Sequence, residues 1–156
     1  MLKAAGAASR NNRATEAREY AAIADTAESR LQREHQGLSG HKTFGPLTAA
    51  LMRWEVELLD DRPDRVLELA RTMPQNTGRT NSSTWNRHRL DLARAHLRTG
   101  NVDKATEILA LLRRDHPEWM RYQQYAKDIV REVLAARPRM PNEEQRQLAD
   151  FMKIEG

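Results

Sequence analysis

Arg87, Asp91, Arg94 and Arg98 recur at steps of 4, 3 and 4. On a helix that spacing sets all four on one stripe. Three guanidinium groups beside a carboxylate suit recognition of an acidic or C-terminal peptide, because guanidinium pairs bidentately with carboxylate. An earlier segment carries a corresponding stripe of Thr48, Met52 and Glu55, with Leu59 beyond. Together they define a candidate ligand groove of Arg87, Asp91, Arg94, Arg98, Glu55, Met52 and Thr48. The competing reading is a solvated helix face. Its Asp91–Arg94 and Asp91–Arg87 pairs would each be worth roughly a few tenths of a kcal/mol.

Other chemistry has weaker support. The metalloprotease HExxH, the P-loop, the GxGxxG turn and the GxSxG elbow are absent. His35, His41, His88, His96 and His116 have no i, i+4 partner and no Cys neighbour, so surface or capping roles are expected and no metal site. His96 shares the apolar face of its helix and should pack there. The carboxylate pairs Asp60-Asp61 and Glu143-Glu144 open predicted helices, where they complement the positive end of the dipole. The expectation is a non-catalytic protein with no cofactor.

The Arg stripe needs a helix to hold it, and the segment from Asn86 to Trp119 supplies two. Trp85, Leu92, Ala93 and His96 share one helical face at spacings of 3, 4 and 7. Val102, Ala105, Ile108, Leu109 and Leu112 share another. Between them, Gly100 can adopt the left-handed conformation that ends a helix, and Asn101 can cap the next. Pro117 stops the second helix.

With Gly100 at the turn, Ala105 early in the second helix and Pro117 after it, this stretch resembles a tetratricopeptide repeat. Arg89 and Ala93 stand where that family favours Trp and Gly. The resemblance implies an all-α fold of antiparallel hairpins stacked as a short solenoid, with the first helix of each pair lining a concave face. The turn Leu97-Arg98-Thr99-Gly100 is not read as a DNA-binding helix-turn-helix, because His96 occupies the position that motif reserves for a small residue.

The 156 residues allow one domain, 1–156, with a shared core. Aromatics are only 5%, so Leu, Ala, Val, Ile and Met must build that core, which suits helices. Cysteine is absent, excluding disulfides and thiolate chemistry. No apolar run approaches the ~20 residues of a membrane helix, and the first residues do not read as a secretory signal. A cytoplasmic protein without a membrane partner is expected. Net charge is +4 and the pI about 9.8. That motivates an alternative reading as a basic helical nucleic-acid binder. Against it, Asp and Glu interleave with the basic residues, and only five of the 26 are Lys.

In chain order, residues 1–13 form a frayed start and 14–36 a helix carrying Ala17, Tyr20, Ala24, Ala27 and Leu31. Residues 43–73 make a first hairpin, with Thr43 as a cap, Pro46 in the first turn and Leu47, Leu51, Trp54 and Leu58 as its stripe. Laying Asp61 on Gly100 puts Val66 on Ala105, so two hairpins stand 39 residues apart. Residues 84–116 are the second hairpin. Residues 117–137 are one closing helix with Trp119, Tyr122, Ala126, Ile129, Val130 and Val133 on its face. Residues 138–156 are a tail whose short helix Asn142 caps. Six to seven helices are expected.

Phe44-Gly45-Pro46, the string from Arg87 to Ala95 and Arg121-Tyr122 together resemble the C-terminal half of actinobacterial XRE-type regulators, over roughly residues 14 to 137. In that family a helix-turn-helix domain binds DNA and the repeats are the sensing or interaction half. The resemblance implies a protein- or peptide-binding module of a transcriptional regulator. Its expected partner is a peptide or another protein, with a second copy of the chain as a further candidate. The DNA-binding domain is absent from this stretch, so DNA binding does not carry over. A fragment of a regulator and a free-standing repeat protein both remain open.

Overall fold

The computed structural model describes residues 15, 16, 19, 20, 22, 23, 26, 35, 36, 43, 44, 46–72, 83–136 and 140–154. The fold class is all-α. The chain divides into two compact units, Met1–Thr77 and Gly78–Gly156.

In the first unit, the helix expected over 14–36 is described as helical at Thr15, Glu16, Glu19, Tyr20, Ala22, Ile23 and Thr26. The rest of that expectation lies outside the described residues, except its end. There His35–Gln36 (β1) is extended and pairs antiparallel with Thr43–Phe44 (β2), His35 opposite Phe44. Thr43 therefore sits in a two-residue ladder, where β-branched and aromatic residues favour extended backbone, and is not a helix cap. The expected frayed start 1–13 falls outside the described residues.

Two helices follow, α1 (Pro46–Leu59) and α2 (Pro63–Thr72). Proline opens each one, where its missing N–H costs no hydrogen bond. Trp54, Val56 and Leu58 on α1 and Val66 on α2 are buried.

The turn between α1 and α2 is built like the turn at Gly100. Asp61 and Gly100 both have positive φ, 55° and 82°. Asp61 N–H donates to Leu58 O and Arg62 N–H to Glu57 O, at 3.1 and 2.8 Å. Gly100 N–H donates to Leu97 O and Asn101 N–H to His96 O, at 3.0 and 2.8 Å. This is the paired bonding of a Schellman helix end. The equivalence of Asp61 and Gly100 is therefore present in the backbone. Lys153, at φ 51°, repeats the pattern, with Ile154 N–H on Ala149 O.

A Cβ at Gly100 would meet nothing within 4 Å. Gly100→Ala should therefore cost only the left-handed backbone strain, about 1 kcal/mol. Lys153→Gly should relieve similar strain and stabilise by up to about 1 kcal/mol. Urea unfolding measures both, and equal signs for the two variants would refute the argument.

The second unit holds α3 (Ser83–Arg98), α4 (Val102–Asp115), α5 (Pro117–Arg121), α6 (Gln124–Ala135) and α7 (Glu143–Phe151). Helices α3 and α4 form a hairpin, and α6 packs on both of them. Helix α7 packs on α4 and α6. Their shared core includes Leu90, Ala93, Ala105, Leu109, Leu112, Met120, Ile129, Val133 and Leu148. Asn101 Oδ1 accepts from Lys104 N–H at 3.2 Å, opening α4 as expected. Asn142 and Gln145 form a reciprocal capping box on α7. Gln145 is also buried, and its Nε2 donates to Thr106 Oγ1 on α4 at 3.3 Å.

Two expectations need correction. The single closing helix over 117–137 is two helices, α5 and α6, separated by Tyr122 and Gln123. Met120 and Ala126 are both fully buried. Six residues of continuous helix would turn them about 120° apart, so the break is what lets both face the core. Tyr122, placed by periodicity on the buried face, is 79% exposed instead. The second correction concerns α3, whose buried side is not the Trp85–Leu92–Ala93–His96 face alone. Asn86, His88, Leu90, Asp91, Ala93 and Ala95 are buried, while Trp85, Leu92 and His96 are half-buried. Covering by both α4 and α6 wraps burial around more of α3 than one apolar stripe. Among the described residues, no helix is long and apolar enough to cross a membrane.

Candidate functional site

Arg87, Asp91 and Arg94 do come together, and helix α6 comes with them. Tyr125 stands in the first turn of α6 and Glu132 lies seven residues on, on the same stripe. The Arg87 guanidinium carbon lies 4.0 Å from the centre of the Tyr125 ring, and that of Arg94 lies 5.3 Å away. Both are within reach of the ring's negative face. Arg94 Nη2 donates to Glu132 Oε1 at 2.7 Å. The two guanidinium groups repel one another over one ring. Asp91 on one side and Glu132 on the other offset that repulsion.

Asp91 is the centre of the cluster and is only 3% exposed. Its Oδ2 lies 3.2 Å from Nδ1 of His88, and its Oδ1 lies 3.8 Å from Nε of Arg87. Burial, first, and then the Asp91 charge hold the Tyr125 phenol well above its ordinary value of 10.0. The phenol therefore stays protonated. An ionised carboxylate only accepts, so His88 presents Nδ1–H to it. A buried carboxylate is costly unless such donors surround it.

This arrangement differs from an open charged wall. Arg94 fastens α3 to α6 through Nη2 and Glu132, and Asp91 is engaged by His88 within α3, while Arg94 Nε is buried without a hydrogen-bond partner among the described residues. Arg87 differs from them. Its side chain is 47% exposed and its guanidinium carbon lies over the Tyr125 ring, so it is held by the ring and still reaches solvent. Arg98 is exposed at the last residue of α3. Glu55 is half-buried on α1 of the other unit. Thr48 and Met52 belong to α1 as well, and their side chains lie outside the described residues.

Three members of the cluster were not anticipated from sequence. His88, assigned a surface or capping role, is 5% exposed and bonded to Asp91. Tyr125 and Glu132 stand 38 residues from Arg87 and Arg94 respectively, beyond any helical spacing rule. The available signal was a stripe of opposite character on α6, an aromatic and an acid seven residues apart. Among the described residues, no group of three or more His, Cys, Asp or Glu is placed to hold a metal ion. Comparison of the chain with protein-family models, with curated proteins and with solved structures finds no match.

Proposed function

We propose that the chain is a non-catalytic helical module of tetratricopeptide type that binds a peptide or partner protein. We further propose that it serves as the sensing or interaction part of a transcriptional regulator. The observation that carries the binding role is Arg87, a half-exposed guanidinium seated 4.0 Å from the centre of the Tyr125 ring. A preoriented guanidinium suits a partner carboxylate, because little rotamer freedom is lost when the pair forms. The repeat architecture is supported by the packing of α3 with α4 and α6, and of α7 with α4 and α6. In a stack of hairpins, first helices adjoin first helices and second helices adjoin second helices. Helices α3 and α6 have the first role in this reading, and α4 and α7 the second.

The reading as a nucleic-acid binder is less well supported. Lys104, Arg131 and Arg146, on three helices, each lie within 3.0 Å of a carboxylate three residues away on the same helix. Cations so paired contribute less free positive charge to a phosphate backbone.

The test is a peptide array probed with the purified chain, followed by titration of any retained peptide. Arg87→Ala with Arg98→Ala should weaken that binding by about 1–3 kcal/mol. The fold should lose about 1 kcal/mol, because Arg87 is half-exposed and reaches the buried Asp91 only at 3.8 Å. An array that retains nothing, or a retained peptide indifferent to both substitutions, refutes the proposal. A steep loss of DNA affinity with rising salt would favour the nucleic-acid reading instead.

A further inference from the structure

A second feature lies away from the Arg87 row, where α5, α6 and the end of α7 meet. A cleft of about 440 Å³ opens there. Its lining includes Arg121, Tyr122, Lys127, Phe151, Met152 and Lys153. Three cations thus reach one cleft from three separate elements.

The state of those cations sets the cleft apart. The second unit has three lysines, Lys104, Lys127 and Lys153. Lys104 is held by Glu107 at 2.8 Å on α4. Lys127 and Lys153 line the cleft, and neither makes an ion pair among the described residues. Arg121 reaches Glu118 only at 3.8 Å, in a pair exposed on both sides and therefore weak. Asp128, the acid nearest Lys127 in sequence, does not line the cleft and is engaged by Arg131 and Gln124. Among the described residues, no carboxylate appears in the lining. The cleft also has an apolar side: Phe151, with Arg121 stacked 5.2 Å from its ring centre, and the buried Met152. Tyr122, 79% exposed, stands in the same lining.

We propose that this cleft is a docking site for an acidic peptide segment. Its carboxylates would meet Lys127, Lys153 and Arg121, and an apolar side chain would lie against Phe151 and Tyr122. Unpaired ammonium groups favour carboxylates because no internal partner has to be displaced. A bare inorganic anion would use the charges and leave the aromatic side uncovered. An acidic peptide carrying Leu or Phe uses both. The site is independent of the Arg87 row, and binding at one does not require the other.

The probe is a dye-labelled hexapeptide of four Glu and two Leu, titrated with the intact chain at low salt by fluorescence polarisation. Saturable binding is expected. The double variant Lys127→Glu, Lys153→Glu should weaken it by about tenfold or more. Lys104→Glu, an equivalent charge reversal on α4, should leave it within about twofold. Both cleft lysines reach solvent, so thermal melts of the double variant should match the parent. If that variant does not fold, Lys127→Gln and Lys153→Glu are compared singly, each expected to weaken binding severalfold. The proposal is overturned if the probe does not bind, or if the cleft variants bind it unchanged. It is overturned equally if Arg87→Ala abolishes binding, which would place the peptide on the other row. Displacement of the probe by citrate or phosphate at matched charge concentration would make the cleft a small-anion site and also overturn it.

Discussion

Asp91→Ala should destabilise the second unit by about 3–5 kcal/mol, the largest effect expected of any single polar substitution here. The carboxylate is 3% exposed, lies 3.2 Å from His88 Nδ1, and its charge acts on Tyr125 of α6. Its removal leaves the buried His88 without this acceptor and leaves two guanidinium groups over one ring with only Glu132 to offset them. Asp91→Asn keeps the shape and one acceptor oxygen, and should cost less, about 1–3 kcal/mol. Tyr125→Phe removes only the hydroxyl, and should cost about 1 kcal/mol with the ring still beside Arg87. Urea denaturation of the three variants orders them. If Asp91→Ala lies within about 0.5 kcal/mol of the parent, as a solvated surface pair would, the cluster is not what joins α3 to α6.

Met120→Ala should cost about 2–4 kcal/mol, because it empties a fully buried site in the core shared by α4, α6 and α7. Tyr122→Ala should fall within about 0.5 kcal/mol of the parent, since the ring is 79% exposed. The pair tests the break between α5 and α6. An unbroken helix in the phase of Trp119, Tyr122 and Ala126 predicts the reverse order, with Tyr122 in the core. Thermal or urea unfolding decides between them, and a larger loss for Tyr122→Ala would refute the broken geometry.

Local signals were reliable where the physics is local. The Gly100 turn, the Asn101 and Asn142 caps and the proline starts of α1, α2 and α5 all rest on interactions spanning five residues or fewer, and the buried face of α4 on its helical period. The equivalence of Asp61 and Gly100 was legible for the same reason, as a turn flanked by apolar periods of the same phase. The phase of a helix that must bend was not legible. From Trp119 to Val133 the apolar residues fit a continuous helix well enough to hide the break, and only packing of Met120 and Ala126 into one core exposes it.

The Arg87–Asp91–Arg94 row divides along the same line. Its membership of one helical stripe is a consequence of spacing, and the sequence by itself determined it. So too were the all-α class and the boundaries of the main hairpin, because capping, turn chemistry and period act within one or two turns. Only the tertiary structure decided what the row does. Packing of α6 across α3 buries Asp91, commits Arg94 to Glu132 and leaves Arg87 half-exposed on Tyr125. It likewise decided that Lys127 and Lys153, 26 residues apart and without an ion pair among the described residues, share one cleft. Side chains so far apart in sequence meet only when the whole core has chosen its helix neighbours. That choice depends on the sum of many small packing terms, not on the residues that meet.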